Sequence, residues 1–260
     1  MLQLSPLRRD LALPEGGPRL LNFRSLAGMT ASDGRRILPG RLFRGGQVAA
    51  LPDSLAEGLR LAGLSRVCDL RSADEQAREP SGLMQAGFAA AMPPPEGDPT
   101  LALRVAGDPA ASPADVRAAM LSTYAAFPES FATALGQVMQ AAIDGPGGLM
   151  VQCAIGKDRT GAAVALLLAA LGVPRAAIAA DYTASNQARD AIWQALAERN
   201  AHRAPPPDAM VAPLIAADPA YLAAFWNRLD TDWGGEAGYL ISHLGIGSAE
   251  IGALRARWLG

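Results

Sequence analysis

Only two cysteines, Cys68 and Cys153, occur in the 260 residues, so no disulfide framework can be built and a reducing compartment is the simpler setting. Histidine is equally scarce. Around His202 and His243 no zinc-binding spacing such as H-E-x-x-H can be written, and neither is given a catalytic role. No apolar run reaches the roughly 20 residues a membrane-spanning helix needs. The longest, residues 161–173, reads as a buried helix. Residues 1–10 lack a basic stretch followed by an apolar one, so no secretory signal is expected; the expected location is cytoplasmic, with export by a non-classical route left open. There is no excess of positive charge either. Lys and Arg number 23 against 25 Asp and Glu, a net charge of −2, which offers no broad field for nucleic acid. A Walker nucleotide loop is excluded, because position 151 is valine and Asp158 follows Lys157; no G-x-S-x-G elbow exists.

What is present suffices for a core. Half of the residues are hydrophobic and 18% are charged, which argues against disorder. The length suits one domain with elaborations, and residues 1–260 are read as a single catalytic domain. Strands are expected at 20–23, 41–43, 66–70 and 149–152, with a weaker one at 88–92. Pro52 opens a helix to about residue 62, ended by Gly63. Ser72 and Glu75 have the spacing of a capping box and start a short helix. Residues 93–112, with three consecutive prolines, read as a long loop, a kind of segment that is often functional. Helices are expected from Ser112 to about 126 and from Pro128 to about 143. Beyond residue 173 the pattern is helical throughout, and about 200–235 could form a lid over a pocket. The alternation of strands and helices predicts an α/β fold, a central mainly parallel sheet flanked by helices.

The chemistry concentrates between the strand at 149–152 and the apolar helix after it. The connection reads Cys153-Ala154-Ile155-Gly156-Lys157-Asp158-Arg159-Thr160-Gly161. A short loop entering a helix can turn its N–H groups inward as an anion nest, and the helix dipole adds partial positive charge there. A cysteine at the base of such a nest is favoured as a thiolate. Arginine six residues later can grip two phosphoryl oxygens in a fork. Gly156 allows a tight backbone, Lys157 adds a point charge, and the Thr160 hydroxyl can donate to the sulfur.

Residues 153–161 resemble the phosphate-binding loop of cysteine-dependent protein tyrosine phosphatases. The form CxxGKDRTG is similar to the atypical bacterial tyrosine phosphatase family, whose type member is mycobacterial. Further stretches resemble that family in order: Asn22-Phe23-Arg24, residues 39–44, Asp69-Leu70-Arg71-Ser72 with Glu75, Ala180-Asp181-Tyr182 with Ser185-Asn186, Gly238-Tyr239-Leu240, residues 244–246, and Trp258-Leu259-Gly260. The resemblance implies a tyrosine phosphatase-like α/β fold and cofactor-free, metal-independent hydrolysis of phosphate monoesters. Phosphotyrosine is the implied substrate, with phosphoserine, phosphothreonine or phosphoinositides as extensions, and a phosphate or sulfate ion is expected in the loop. Two departures stand out. Gln152 occupies the position usually held by histidine, and Ser25 replaces an aspartate.

Cys153 is the candidate nucleophile and Arg159 the candidate phosphoryl clamp. Ala154, Ile155, Gly156, Lys157, Asp158, Arg159 and Thr160 form the candidate phosphate-binding loop. For the general acid the resemblance favours Asp158; Glu96 and Asp98, on the proline-rich loop, are the alternatives. Asp69 and Arg71 read as a buttress of the loop. Arg35, Arg36 and Arg44 could add charge to a pocket. Cys68 reads as a buried thiol; on a strand beside the one ending at Gln152 it could trap oxidised Cys153 as a disulfide. Two rival functions remain, a phosphate-binding pseudophosphatase without turnover and a sulfur- or arsenate-type thiol transferase. The Gly-Lys-Asp-Arg-Thr-Gly string argues against the second. Oligomeric state is not legible.

Overall fold

The computed structural model describes residues 20–93, 101–199, 201 and 206–260. Its strands are β1 (Arg24–Ser25), β2 (Leu42–Gly46), β3 (Leu64–Asp69), β4 (Ala89–Ala90) and β5 (Gly148–Cys153). They form one sheet in the order β1-β2-β5-β3-β4. Only the β1–β2 pairing is antiparallel. Every residue of β5 is buried, as its unbroken apolar run Leu149-Met150-Val151 requires of a central parallel strand.

The main helices are α1 (Asp53–Leu61), α2 (Ala73–Arg78), α3 (Gly82–Gln85), α4 (Leu101–Ala106), α5 (Pro113–Ser130), α6 (Ala132–Asp144), α7 (Asp158–Ala170), α8 (Arg175–Ala184), α9 (Arg189–Arg199), α10 (Asp208–Ile215), α11 (Pro219–Trp233) and α12 (Ser248–Trp258), with shorter helical turns at Ser185–Ala188, Glu236–Gly238 and Tyr239–His243. Strand alternation divides the core in two. Phe43, Val67 and Met150 point to a small cluster with Leu59 and Leu83 of α1 and α3. Leu42, Cys68, Leu149, Val151 and Cys153 point the other way, into a large cluster with α5, α6, α7, α10 and α11. Among the described residues no single helix is long and apolar enough to cross a membrane. The bent pair α10–α11 reaches the length and apolarity of a span, but Leu214, Ile215, Leu222, Phe225 and Leu229 of that pair lie in the large cluster.

The mainly parallel sheet, the capping box at Ser72 and Glu75, the helix start at Ser112 and the helical C-terminal part follow the sequence pattern. Four local expectations are corrected. Residues 20–23 form a turn, not a strand, because Asn22 takes a left-handed conformation with φ 51°. The 88–92 strand shrinks to the two residues of β4, and α3 forms just before it. The expected loop at 93–112 contains α4, which buries Ala102 and Ala106; residues 94–100 lie outside the described residues. Pro128 lies inside α5, and the break falls at Phe131. Proline there costs a single backbone bond near the helix end. The Pro128 carbonyl accepts the Tyr239 hydroxyl at 2.6 Å, which holds the turn from outside.

Candidate active site

Cys153 ends β5 and Asp158 begins α7, so four residues, Ala154 to Lys157, make the connection. Their carbonyls are taken up one by one. The Ala154 carbonyl accepts the Arg199 guanidinium at 3.0 Å and the Gln47 N–H at 3.3 Å. The Ile155 carbonyl accepts the Asn22 amide at 3.3 Å. The Gly156 carbonyl accepts Asn22 at 2.9 Å and Arg44 at 3.0 Å. A trans peptide points its N–H opposite to its C=O. Anchoring these three carbonyls on the outside therefore turns the N–H groups of Ile155, Gly156 and Lys157 inward. They join the unpaired N–H groups at the start of α7. Gly156 is at φ 69°, and any Cβ there would overlap the backbone of Gly45. Only glycine lets the loop lie this close to β2.

A buried carboxylate holds the anchors. Asp181 accepts Arg24 at 2.6 Å and Arg44 at 2.5 Å, and Arg24 in turn donates to the Asn22 side-chain oxygen at 2.7 Å. Burial opposes ionisation of Asp181, but the charges of Arg44 and Arg24 outweigh it and hold the carboxyl below its ordinary range. Burial, and then the neighbouring Arg44, lowers Arg24 to about 10. The left-handed turn at Asn22, which interrupts the expected strand, is what brings its amide under the loop.

Cys153 is 2% exposed and sits among these groups. The Arg159 guanidinium is held end-on by Glu75, at 2.7 and 2.9 Å, and gives another hydrogen to the Leu70 carbonyl at 2.8 Å. Three of its five N–H groups are thus engaged. The Nε hydrogen and one Nη2 hydrogen, side by side on one edge, have no partner among the described residues. Burial disfavours both partners of the pair, yet their mutual hydrogen bonds raise Arg159 and lower Glu75. Glu75 is positioned by its own capping box, in which it also accepts the Ser72 N–H at 2.8 Å.

Asp69 and Arg71 do form a pair, at 2.7 Å, both buried. Gln152 joins it by donating to Asp69 at 2.8 Å and to the Ser81 hydroxyl at 3.1 Å, while its side-chain oxygen is buried without a partner. Ser25 accepts the Ala27 N–H in a local turn. The Thr160 hydroxyl is buried and has no partner, sulfur included, among the described residues.

Lys157, the single lysine of the chain, points away from a solvent-open role. Its ammonium is fully buried, donates to the carbonyls of Leu214 and Ala216 at the C-terminal end of α10, and lies 3.2 Å from Asp158. Asp158 keeps partial exposure, and its Oδ1 also accepts the Tyr124 hydroxyl at 2.9 Å. Glu96, Asp98 and His202 lie outside the described residues. Arg44 reaches the loop, whereas Arg35 pairs with Asp33 on an exposed turn and Arg36 bridges to Thr30. Cys68 is on a strand adjacent to β5, but it pairs with Val151, which places Cys153 two residues further along. Such a diagonal is roughly 7–8 Å, beyond disulfide reach without backbone movement. Burial also pushes the Cys68 thiol up to about 12, so it is a poor nucleophile. Among the described residues no group of three or more His, Cys, Asp or Glu is placed to hold a metal. Tyr124, Arg199 and Gln47, which touch the loop or its carboxylate, were not singled out by the sequence, since each sits in an ordinary helical or turn pattern.

The profile of the tyrosine phosphatase family matches residues 17–260. The chain belongs to the tyrosine phosphatase family. Three relatives of this phosphatase are consistent with that. It is 35% identical over 244 residues to a protein of Cupriavidus necator named as an inferred tyrosine-protein phosphatase, covering 94% of this chain and 87% of the relative. It is 29% identical to the triple specificity protein phosphatase PtpB of Mycobacterium tuberculosis, covering 94% and 98% of the two chains. A tyrosine-protein phosphatase of Nostoc commune is 27% identical, with 94% and 81% covered. The resemblance carried by residues 153–161 thus extends over nearly the whole phosphatase.

Proposed function

We propose that this phosphatase hydrolyses phosphate monoesters through a phosphocysteine, without a metal. The reading rests above all on one arrangement. Cys153 lies at the foot of a loop whose carbonyls are anchored outward, next to the free edge of a guanidinium already fixed by Glu75. Inward N–H groups and that edge match the equatorial oxygens of a transferring phosphoryl group. The Cys153 thiolate attacks phosphorus and the bond to the leaving oxygen breaks. The electron pair stays on that oxygen, which takes a proton from Asp158. Water then attacks phosphorus, gives its proton to the Asp158 carboxylate, and releases inorganic phosphate and the thiolate.

The substrate range proposed is phosphotyrosine, with phosphoserine, phosphothreonine or phosphoinositides as further substrates; the triple specificity of the mycobacterial relative supports breadth. The continuous large cluster, from Leu26 to Leu259, supports one catalytic unit in which the end of α10 is tied to the loop through Lys157. The test is turnover of para-nitrophenyl phosphate in EDTA. Wild type is expected to turn over and Cys153→Ser to be silent while phosphate still raises its melting temperature. Equal rates for the two proteins would end the cysteine mechanism. A silent wild type that still gains stability from phosphate would favour a binding-only protein.

A further inference from the structure

We propose that Tyr124 is the positioning residue of the proton donor, selecting Oδ2 of Asp158 as the oxygen that carries the proton. The proposal rests on the reading of Asp158 as general acid. Its basis is a buried chain of hydroxyl groups behind the loop. The Tyr124 hydroxyl donates to Asp158 Oδ1 at 2.9 Å and lies 2.8 Å from the Tyr182 hydroxyl. A phenol has one proton. With that proton spent on a carboxylate oxygen, the Tyr182 hydroxyl must be the donor in the second bond. The chain therefore runs in one direction, from Tyr182 to Tyr124 to Asp158.

Both phenols are buried, and the α5 ring is clamped on two sides. Tyr124 meets the Tyr182 ring edge-on at 6.0 Å and the Tyr221 ring at 5.7 Å. Tyr221 is itself fixed by donating to the Pro213 carbonyl at 3.0 Å. The donor thus has little freedom to swing. Burial and then the nearby Asp158 carboxylate push the Tyr124 phenol well above its ordinary range, so it remains a donor.

Oδ1 also faces the Lys157 ammonium at 3.2 Å. One donated hydrogen bond and one ammonium charge converge on that oxygen, and a proton placed on it would be repelled by the ammonium and would compete with the phenol hydrogen. Oδ2 has no partner among the described residues. A carboxyl proton therefore resides on Oδ2, and Tyr124 sets the angle at which that oxygen is presented. A leaving group that needs the proton should feel the loss of Tyr124, and one that does not should ignore it.

Leaving-group dependence tests this. The nitro group of para-nitrophenyl phosphate stabilises the departing anion, whereas phenyl phosphate leaves with full need of the proton. General acids supply roughly 10²–10⁴-fold, so mispositioning one is expected to cost Tyr124→Phe roughly ten-fold in kcat/KM, which reports the step that expels the leaving group, on phenyl phosphate and under about three-fold on the nitrophenyl ester. Asp158→Asn is measured beside it and is expected to show the same asymmetry, larger. Asymmetry in Asp158→Asn with even losses, or none, in Tyr124→Phe would overturn the proposal and leave the general acid standing. No asymmetry in Asp158→Asn would overturn the assignment of Asp158, and the proposal with it. If Tyr124→Phe does not fold, Tyr182→Phe carries the test. Removing the hydroxyl that orients Tyr124 is expected to give the same asymmetry at about two- to five-fold, and an even loss overturns the proposal.

Discussion

Glu75 meets Arg159 end-on, its two oxygens 2.7 and 2.9 Å from the two terminal nitrogens. The carboxylate takes the far end of the guanidinium and leaves the Nε edge free. In Glu75→Gln one oxygen becomes an amide that can only oppose a donor with a donor. Phosphoryl binding should then lose its fixed fork. The expected result is a drop in kcat of about ten-fold or more on para-nitrophenyl phosphate, with stability lowered by about 1–3 kcal/mol for a part-buried pair. Steady-state kinetics and urea unfolding on one preparation check both numbers.

Asp181 carries a second carboxylate-dependent prediction, on stability and pH. Its folded-state carboxyl titrates below the unfolded one, because Arg44 and Arg24 outweigh its burial. The stabilisation is therefore complete above the unfolded value of 3.8 and is lost as pH falls through the folded value. Asp181→Asn is expected to cost roughly 3–5 kcal/mol at neutral pH. That gap should close progressively below about pH 4. Denaturant midpoints measured across pH would show it; a gap that widens in acid would contradict the assignment.

At Gly156 the expectation is geometric. Alanine must adopt the left-handed conformation, at roughly 1–2 kcal/mol, and overlap the β2 backbone, at roughly 1–3 more. A melting temperature lower by several degrees follows. So does loss of the stabilisation that phosphate gives, because the Gly156 carbonyl anchors cannot persist with the loop displaced. Thermal melts with and without phosphate separate the two effects.

Lys157→Met tests where the ammonium acts. It binds the Leu214 and Ala216 carbonyls in this structure, so its loss should leave those carbonyls unpaired, at about 1–3 kcal/mol each. Phosphate affinity should change less than about three-fold, since that side chain adds no charge at the free Arg159 edge. Faster proteolysis within 208–216 is the accompanying sign. A ten-fold loss of phosphate affinity would instead return the lysine to the loop mouth.

The difference between what was legible in the sequence and what was not follows contact range. The capping box at Ser72 and Glu75, the strand into Cys153 and the helix after Gly156 are written in neighbouring residues, and they appear in place. The spacing of Cys153 and Arg159 likewise foretold a shared loop. The bidentate role of Glu75 was not legible, because a capping residue and an arginine 84 positions away share no local pattern. The same holds for Tyr124, which reads as one more apolar position of α5. The strand expected at 20–23 failed for a related reason. Its alternation of residues says nothing of the distant loop that needs the Asn22 amide.

The anchors of the loop have a consequence for biosynthesis. Asn22 and Arg44 reach Gly156 across 134 and 112 residues, and Asp181 and Arg199 lie downstream of the loop they brace. A nascent chain that has just extruded Cys153 possesses the candidate nucleophile without its cradle. The cradle around Cys153 is complete only when α8, with Asp181, and α9, with Arg199, have emerged and docked.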